Sequence, residues 1–200
     1  MDWLYYENLY GKNGEKVVCG VDESGRGPLA GRVSAAAVVM PHGLIIDGVN
    51  DSKKLTEKKR EALFDKITES ALNYSIAWAD EKEIDNINIL QATYLAMKQA
   101  VGSLKIKPDM ILVDGNRLPD FGIPAEAIVK GDSLSHSIAC ASILAKVSRD
   151  RYICKEAKKY PEYLFETHKG YGTKVHIEAL KKYGPSPIHR KTFLKKILRK

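Results

Sequence analysis

The stretch Val17-Val18-Cys19-Gly20-Val21-Asp22-Glu23-Ser24-Gly25-Arg26-Gly27-Pro28-Leu29-Ala30-Gly31 decides the architecture. Val17 to Val21 is a short apolar run bounded by polar and glycine residues, as a buried strand should be. A loop rich in glycine and proline follows, then a second apolar run from Val33 to Met40. Two strands joined this way predict an antiparallel pair at the start of a mixed sheet. Further out, Thr56 is placed to cap a helix running to about Leu72, with Leu63, Ile67 and Ala71 four apart on one face. Tyr74 to Ala79 alternates as a strand does. A long helix is predicted next, with Ile87, Leu90, Tyr94, Met97 and Val101 forming a stripe that reads as core packing.

Met110 to Val113 and Ala127 to Lys130 read as two more buried strands, ending at Asp114-Gly115-Asn116 and Gly131-Asp132. Leu134 to about Lys158 reads as one long helix rich in small residues. Helices near His176 to Tyr183 and His189 to Lys200 complete the chain. Alternating strands and helices define an α/β domain with a mixed sheet flanked by helices. The expected division is a catalytic domain over residues 1–158 and a basic helical C-terminal extension over 159–200, packed on it.

Composition narrows the function classes. The 200 residues are 44% hydrophobic and 28% charged, ordinary for a globular protein. The longest apolar stretch, Val33 to Met40, is far below membrane-spanning length and contains Ser34. Met1-Asp2-Trp3 has neither the basic region nor the apolar core of a secretory signal, and Cys19, Cys140 and Cys154 form no C-x-x-C pair. Free thiols in the cytoplasm and a monomer are the expectation. The net charge of +7 is unevenly spread. From residue 151 onward there are 14 Lys or Arg against 4 Asp or Glu, whereas the first 150 residues hold 18 against 21. A near-neutral body with a basic tail suits a catalytic domain with a polyanion-binding face, and also suits a solvated lysine-rich surface. Lys195, Lys196, Arg199 and Lys200 would add salt-sensitive affinity for a duplex.

Asp22, Glu23, Asp114 and Asp132 each follow a predicted strand. Strand ends in an α/β sheet can converge on one cleft. Four converging carboxylates would repel one another, and a hard divalent cation such as Mg²⁺ or Mn²⁺ removes that conflict. The chemistry implied is two-metal phosphodiester hydrolysis. Spacing alone leaves this open beside a scatter of turn-forming acids. Gly25, Gly27 and Ala30 satisfy a loose G-x-G-x-x-A, but Pro28 and the acids ahead of it oppose a dinucleotide-binding turn. No G-x-x-x-x-G-K-[ST] is present. The alternative is a loop whose glycines let the backbone approach a nucleic-acid strand, with Arg26 meeting a phosphate and backbone groups reading a ribose 2′-hydroxyl. His136, His168, His176 and His189 share no metal-ligand spacing.

The segment Gly20 to Gly31 closely resembles the signature of bacterial ribonuclease HII. The resemblance recurs at Asn50-Asp51-Ser52-Lys53-Lys54-Leu55, Ile89-Leu90-Gln91-Ala92-Thr93, Val113-Asp114-Gly115-Asn116, Ser142 to Arg151, His168-Lys169-Gly170-Tyr171-Gly172-Thr173-Lys174 and Pro187-Ile188-His189-Arg190. It implies a ribonuclease H-like sheet with a C-terminal helical extension. It also implies cleavage of RNA–DNA hybrid duplexes and of ribonucleotide-containing duplex DNA, 5′ of a ribonucleotide, leaving 3′-hydroxyl and 5′-phosphate ends. By motif position, Asp22, Glu23, Asp114 and Asp132 would be the metal-binding carboxylates. Gly25-Arg26-Gly27 would sense the 2′-hydroxyl, Tyr171 would stack on the sugar of the following deoxynucleotide, and Lys53 and Lys54 would contact phosphate. Ser24 stands where the family usually has Ala, Arg32 where it has Pro, and Ser133 to Ser137 departs from the usual run. The sixteen residues before the first strand leave little room for the N-terminal domain usual in ribonuclease HIII. A catalytically silent nucleic-acid binder would gain nothing from four acids facing a polyanion. A resolvase-like nuclease would have no use for Gly25-Arg26-Gly27 with Tyr171.

Overall fold

The computed structural model describes residues 2–195, 197 and 198. After a short helix α1 (Tyr5–Gly11), the chain forms β1 (Val18–Ser24) and returns as β2 (Val33–Val39). Helix α2 (Glu57–Ser70) leads to β3 (Asn73–Ala79), and α3 (Glu81–Gly102) crosses to β4 (Met110–Asp114). There follow β5 (Ala125–Ile128), α4 (His136–Ala157), α5 (Phe165–His168), α6 (Lys174–Tyr183) and α7 (Lys191–Leu194). The five strands lie in the order β3-β2-β1-β4-β5. The β1–β2 and β2–β3 pairs are antiparallel, and β4 and β5 continue the sheet in parallel with β1. This is the mixed sheet expected.

Helices cover both faces, so the central strands are apolar throughout. All seven residues of β2 are buried. Ala35 and Ala37 pack towards Ala92, Ala96 and Met97 of α3. Ala36 and Val38 pack on the other side, against Ala139, Ile143 and Leu144 of α4 and Leu63 and Ile67 of α2. The small residues of α4 bring it down onto the sheet. A β-carbon on Gly20 would overlap the Ser137 backbone, so glycine is required there. Local signals set the helix starts. Thr56 caps α2 through Lys59 N–H at 3.3 Å, and Asp80 with Glu83 forms a reciprocal capping box on α3.

Four expectations change. Asp22 and Glu23 lie inside β1, which runs on to Ser24, so their side chains leave opposite faces of the sheet. The last strand is Ala125–Ile128, because Lys130 takes a left-handed conformation (φ 59°) and ends the extended run before Gly131. Helix α3 breaks at Asn88 (φ 66°), whose Oδ1 caps the second segment through the Leu90 and Gln91 amides. The break shifts the phase of the stripe, leaving Ile87 exposed while Met97 and Val101 are buried. Among the described residues, the helix expected over 189–200 spans Lys191–Leu194, its first amides held by Asp85. Lys196, Arg199 and Lys200 lie outside the described residues.

The C-terminal segment packs on the glycine loop. Leu29 and Ala30 share one apolar cluster with Phe165, Ala179, Leu180, Ile188 and Leu194. Among the described residues, no helix is long and apolar enough to cross a membrane.

Candidate active site

Strand register builds the acidic centre. Val21 pairs with Val113 across parallel strands, so one step further Asp22 and Asp114 stand side by side, about 5 Å apart in the hydrogen-bonding direction. Asp22 shares the α4 face with Gly20, and the Ser142 hydroxyl of α4 favours its charged form. Ser142 in turn lies 2.8 Å from Ser52 Oγ. Glu23 leaves the other face, into a cleft lined also by Arg26, Leu90, Asp114, Asn116 and Arg117. Asp132 sits in the one-turn helix Gly131–Ser133, its N–H directed at Asp114 Oδ1 at 3.4 Å.

The four acids crowd one another. Burial, then Glu23 and Asp114, hold the Asp22 carboxyl well above its ordinary value, against the pull of the Glu23 amide and Ser142. Burial also raises Glu23, with Arg26 opposing and Asp114 adding to it. Asp132 is raised by burial, then by Asp114 and Asp51. Burial works against the Lys53 ammonium, yet Asp22, Asp132, Asp51 and Asp114 prevail and hold its proton more tightly than usual. Lys54 reaches Ser133 Oγ at 3.3 Å and Asp51 at 3.7 Å. The sequence reading missed Asp51 as a member of this group, because it lies in a loop rather than at a strand end.

Hard oxygen donors with unsatisfied mutual repulsion fit a divalent cation such as Mg²⁺ or Mn²⁺. Among the described residues, no three potential ligands are already drawn into a closed metal cage.

The glycine loop abuts this centre. Arg26 is paired with Glu23 at 3.6 Å. A β-carbon on Gly27 would lie 3.4 Å from Tyr171 Cε1, and Leu29 N–H donates to the Gly170 carbonyl at 2.8 Å. Tyr171, remote in sequence and 45% exposed, therefore stands beside Gly25-Arg26-Gly27. Of the candidate residues, Glu23, Arg26 and Asp114 line one cleft, Asp132 adjoins Asp114, and Tyr171 stands beside Gly27. His168, His176 and His189 come together behind Tyr171, which their spacing did not reveal. Asp150 pairs with Lys146 (2.8 Å) and Arg60 (3.8 Å) rather than with the arginines beside it in sequence.

A sheet of this order with acids at the β1 and β4 ends defines a nuclease of the ribonuclease H type. The family profile described as Ribonuclease HII matches residues 19–196, and the chain belongs to that family. It is 60% identical over 193 residues to the ribonuclease HII of Caldicellulosiruptor saccharolyticus, covering 96% of this chain and 94% of the relative. The Clostridioides difficile ribonuclease HII is 55% identical over 193 residues, 96% of this chain and 76% of the relative. Among solved structures, the ribonuclease H2 of Pyrococcus horikoshii OT3 is 33% identical with a TM-score of 0.75, over 90% of this chain and 96% of that one. The chain is an enzyme, a hydrolase that cuts nucleic acid.

Proposed function

We propose that this ribonuclease hydrolyses the RNA strand of RNA–DNA hybrids and incises duplex DNA on the 5′ side of embedded ribonucleotides, leaving 3′-hydroxyl and 5′-phosphate ends. Asp22, Glu23, Asp114 and Asp132 would hold Mn²⁺ or Mg²⁺. When bound, two such ions supply an activated water and neutralise charge developing on the phosphate. The chain's own groups bind and orient. Lys53, Lys54 and Arg26 hold phosphate oxygens near the carboxylates. The Gly25, Arg26 and Gly27 amides donate to ribose oxygen, and Tyr171 covers the adjoining deoxyribose. On this reading residues 1–158 carry the acids, and the 159–200 extension contributes Tyr171.

The observation that carries the reading is the Glu23–Arg26 contact, which joins the acidic centre to a glycine loop touching Tyr171. The acids alone would serve any phosphodiesterase. The loop beside them supplies the choice of ribose. The test is a DNA duplex with one ribonucleotide, incubated with Mn²⁺, with Mg²⁺ and with chelator. Metal-dependent cutting at the single 5′ position is expected, and no cutting in either metal overturns the proposal.

A further inference from the structure

Two arginines lie beneath the glycine loop with no side-chain exposure to water. Arg149 and Arg190 are each 0% exposed, and neither forms an ion pair among the described residues. Carbonyl oxygens solvate them instead. Arg190 donates to Gly25 O (2.6 Å), Arg26 O (3.0 Å), Pro28 O (2.8 Å) and Gly31 O (2.8 Å), and its main-chain N–H donates to Leu29 O (2.9 Å). Arg149 donates to Ala30 O, Arg32 O and Lys169 O at 3.0–3.2 Å. Every carbonyl from Gly25 to Arg32 except that of Gly27 is thereby turned towards the protein.

The amides follow from the carbonyls, because a peptide plane carries the two in opposite directions. Among the described residues, the N–H groups of Gly25, Arg26 and Gly27 have no protein acceptor. The Arg26 and Gly27 donors, on exposed residues and backed by two cations, form an oxygen-binding concavity. Burial lowers the Arg190 guanidinium to about 9, with Arg149 adding to the shift, and both remain cationic at neutral pH.

From this geometry we propose that Arg190, seconded by Arg149, is the positioning residue for ribose recognition. Its guanidinium pulls the Gly25 and Arg26 carbonyls inward and so presents the Arg26 and Gly27 amides, which share those peptide planes, to the substrate. The proposal rests on the ribonucleotide specificity proposed above. A lysine cannot replace it, since one compact ammonium cannot span four carbonyls along a planar fork.

The test measures affinity, in chelator, for a DNA duplex with one ribonucleotide and for the matching all-DNA duplex. If the native protein does not distinguish them, the specificity reading itself fails. If it does, Arg190→Lys is expected to reduce the preference about tenfold, roughly one lost charge-backed hydrogen bond, with all-DNA affinity little changed. A merely structural loss would weaken both duplexes together. A folded Arg190→Lys protein with the native preference overturns the proposal, as does an equal loss on both. Should the variant not fold, backbone relaxation on the native protein decides. The Arg26 and Gly27 amides must exchange quickly with solvent yet have order parameters near the rigid value of about 0.85, and values below about 0.6 overturn it.

Discussion

His176 Nε2 lies 2.9 Å from His189 Nε2, and the groups around the pair leave one proton arrangement. The Tyr171 carbonyl, 2.8 Å from His176 Nδ1, can only accept, so Nδ1 carries the hydrogen. His176 Nε2 then accepts from His189 Nε2–H. His189 Nδ1, in turn, accepts from the Ser186 amide at 2.9 Å. Both rings are buried and neutral, and the chain they form ends on the backbone of Tyr171.

Burial, with the neighbouring histidine adding to it at His189, lowers both rings from 6.5 to about 4. The unfolded chain therefore binds protons first as pH falls. These two groups contribute no pH dependence above about 6.5, and their contribution to stability is lost progressively from there down to about 4. The slope is about 1.4 kcal/mol per pH unit for each histidine within that window. Nitrogen-15 shifts of the rings should show Nδ1–H on His176 and Nε2–H on His189, titrating near 4. Midpoints at 6.5 would remove the assignment.

If Asp114 holds metal as proposed, it should support function at the expense of stability. Asp114→Asn is expected to lower cleavage at least about 10³-fold while duplex binding persists. In chelator the same variant should melt higher than the native protein, because it relieves repulsion at Asp22 and Asp132. Mg²⁺ or Mn²⁺ should raise the native melting temperature, by about 2.7 kcal/mol of stability at 100 times Kd, and raise that of the variant less. An unchanged rate, or equal metal stabilisation, refutes the role of Asp114.

The two loop glycines should respond differently. Gly25 has φ 103°, and a β-carbon there would overlap Arg149 Nε. Gly25→Ala should therefore cost at least about 1–3 kcal/mol in denaturant unfolding. Gly27 meets only Tyr171 Cε1 at 3.4 Å, so Gly27→Ala should stay within about 1 kcal/mol of native stability while raising KM. Equal destabilisation by the two would contradict this packing.

Tyr171 is half exposed, and its ring can be removed cheaply. Tyr171→Ala should change stability by about 0.5 kcal/mol or less. Single-ribonucleotide cleavage should fall well below native, and by more than cleavage of a long hybrid does. A native rate on the single-ribonucleotide duplex would take Tyr171 out of the site.

Local signals carried most of the element pattern. The apolar runs at Val17 to Val21, Val33 to Met40 and Met110 to Val113 marked three strands, and Thr56 marked a helix start. Backbone conformation and contacts remote in sequence accounted for the misses. Nothing local announces that Asn88 will adopt φ 66° and divide α3, or that Asp85 will hold the first amides of the helix at Lys191–Leu194. Asp51 was passed over because its partners Asp132 and Lys53 approach only through the fold.

By itself the sequence determined the α/β class, the family and the residue types of the site, since motifs and periodicity are written in neighbouring positions. Tertiary structure alone decided that Asp22 and Glu23 leave opposite faces of β1, because side-chain direction follows how far the strand extends. It also decided that Arg190, which the sequence marks only as the end of the motif Pro187-Ile188-His189-Arg190, is buried 159 positions from the Gly31 carbonyl it binds. A guanidinium can be taken out of water only where enough oxygen atoms converge on it, and that convergence exists only once the loop and the C-terminal segment have packed together.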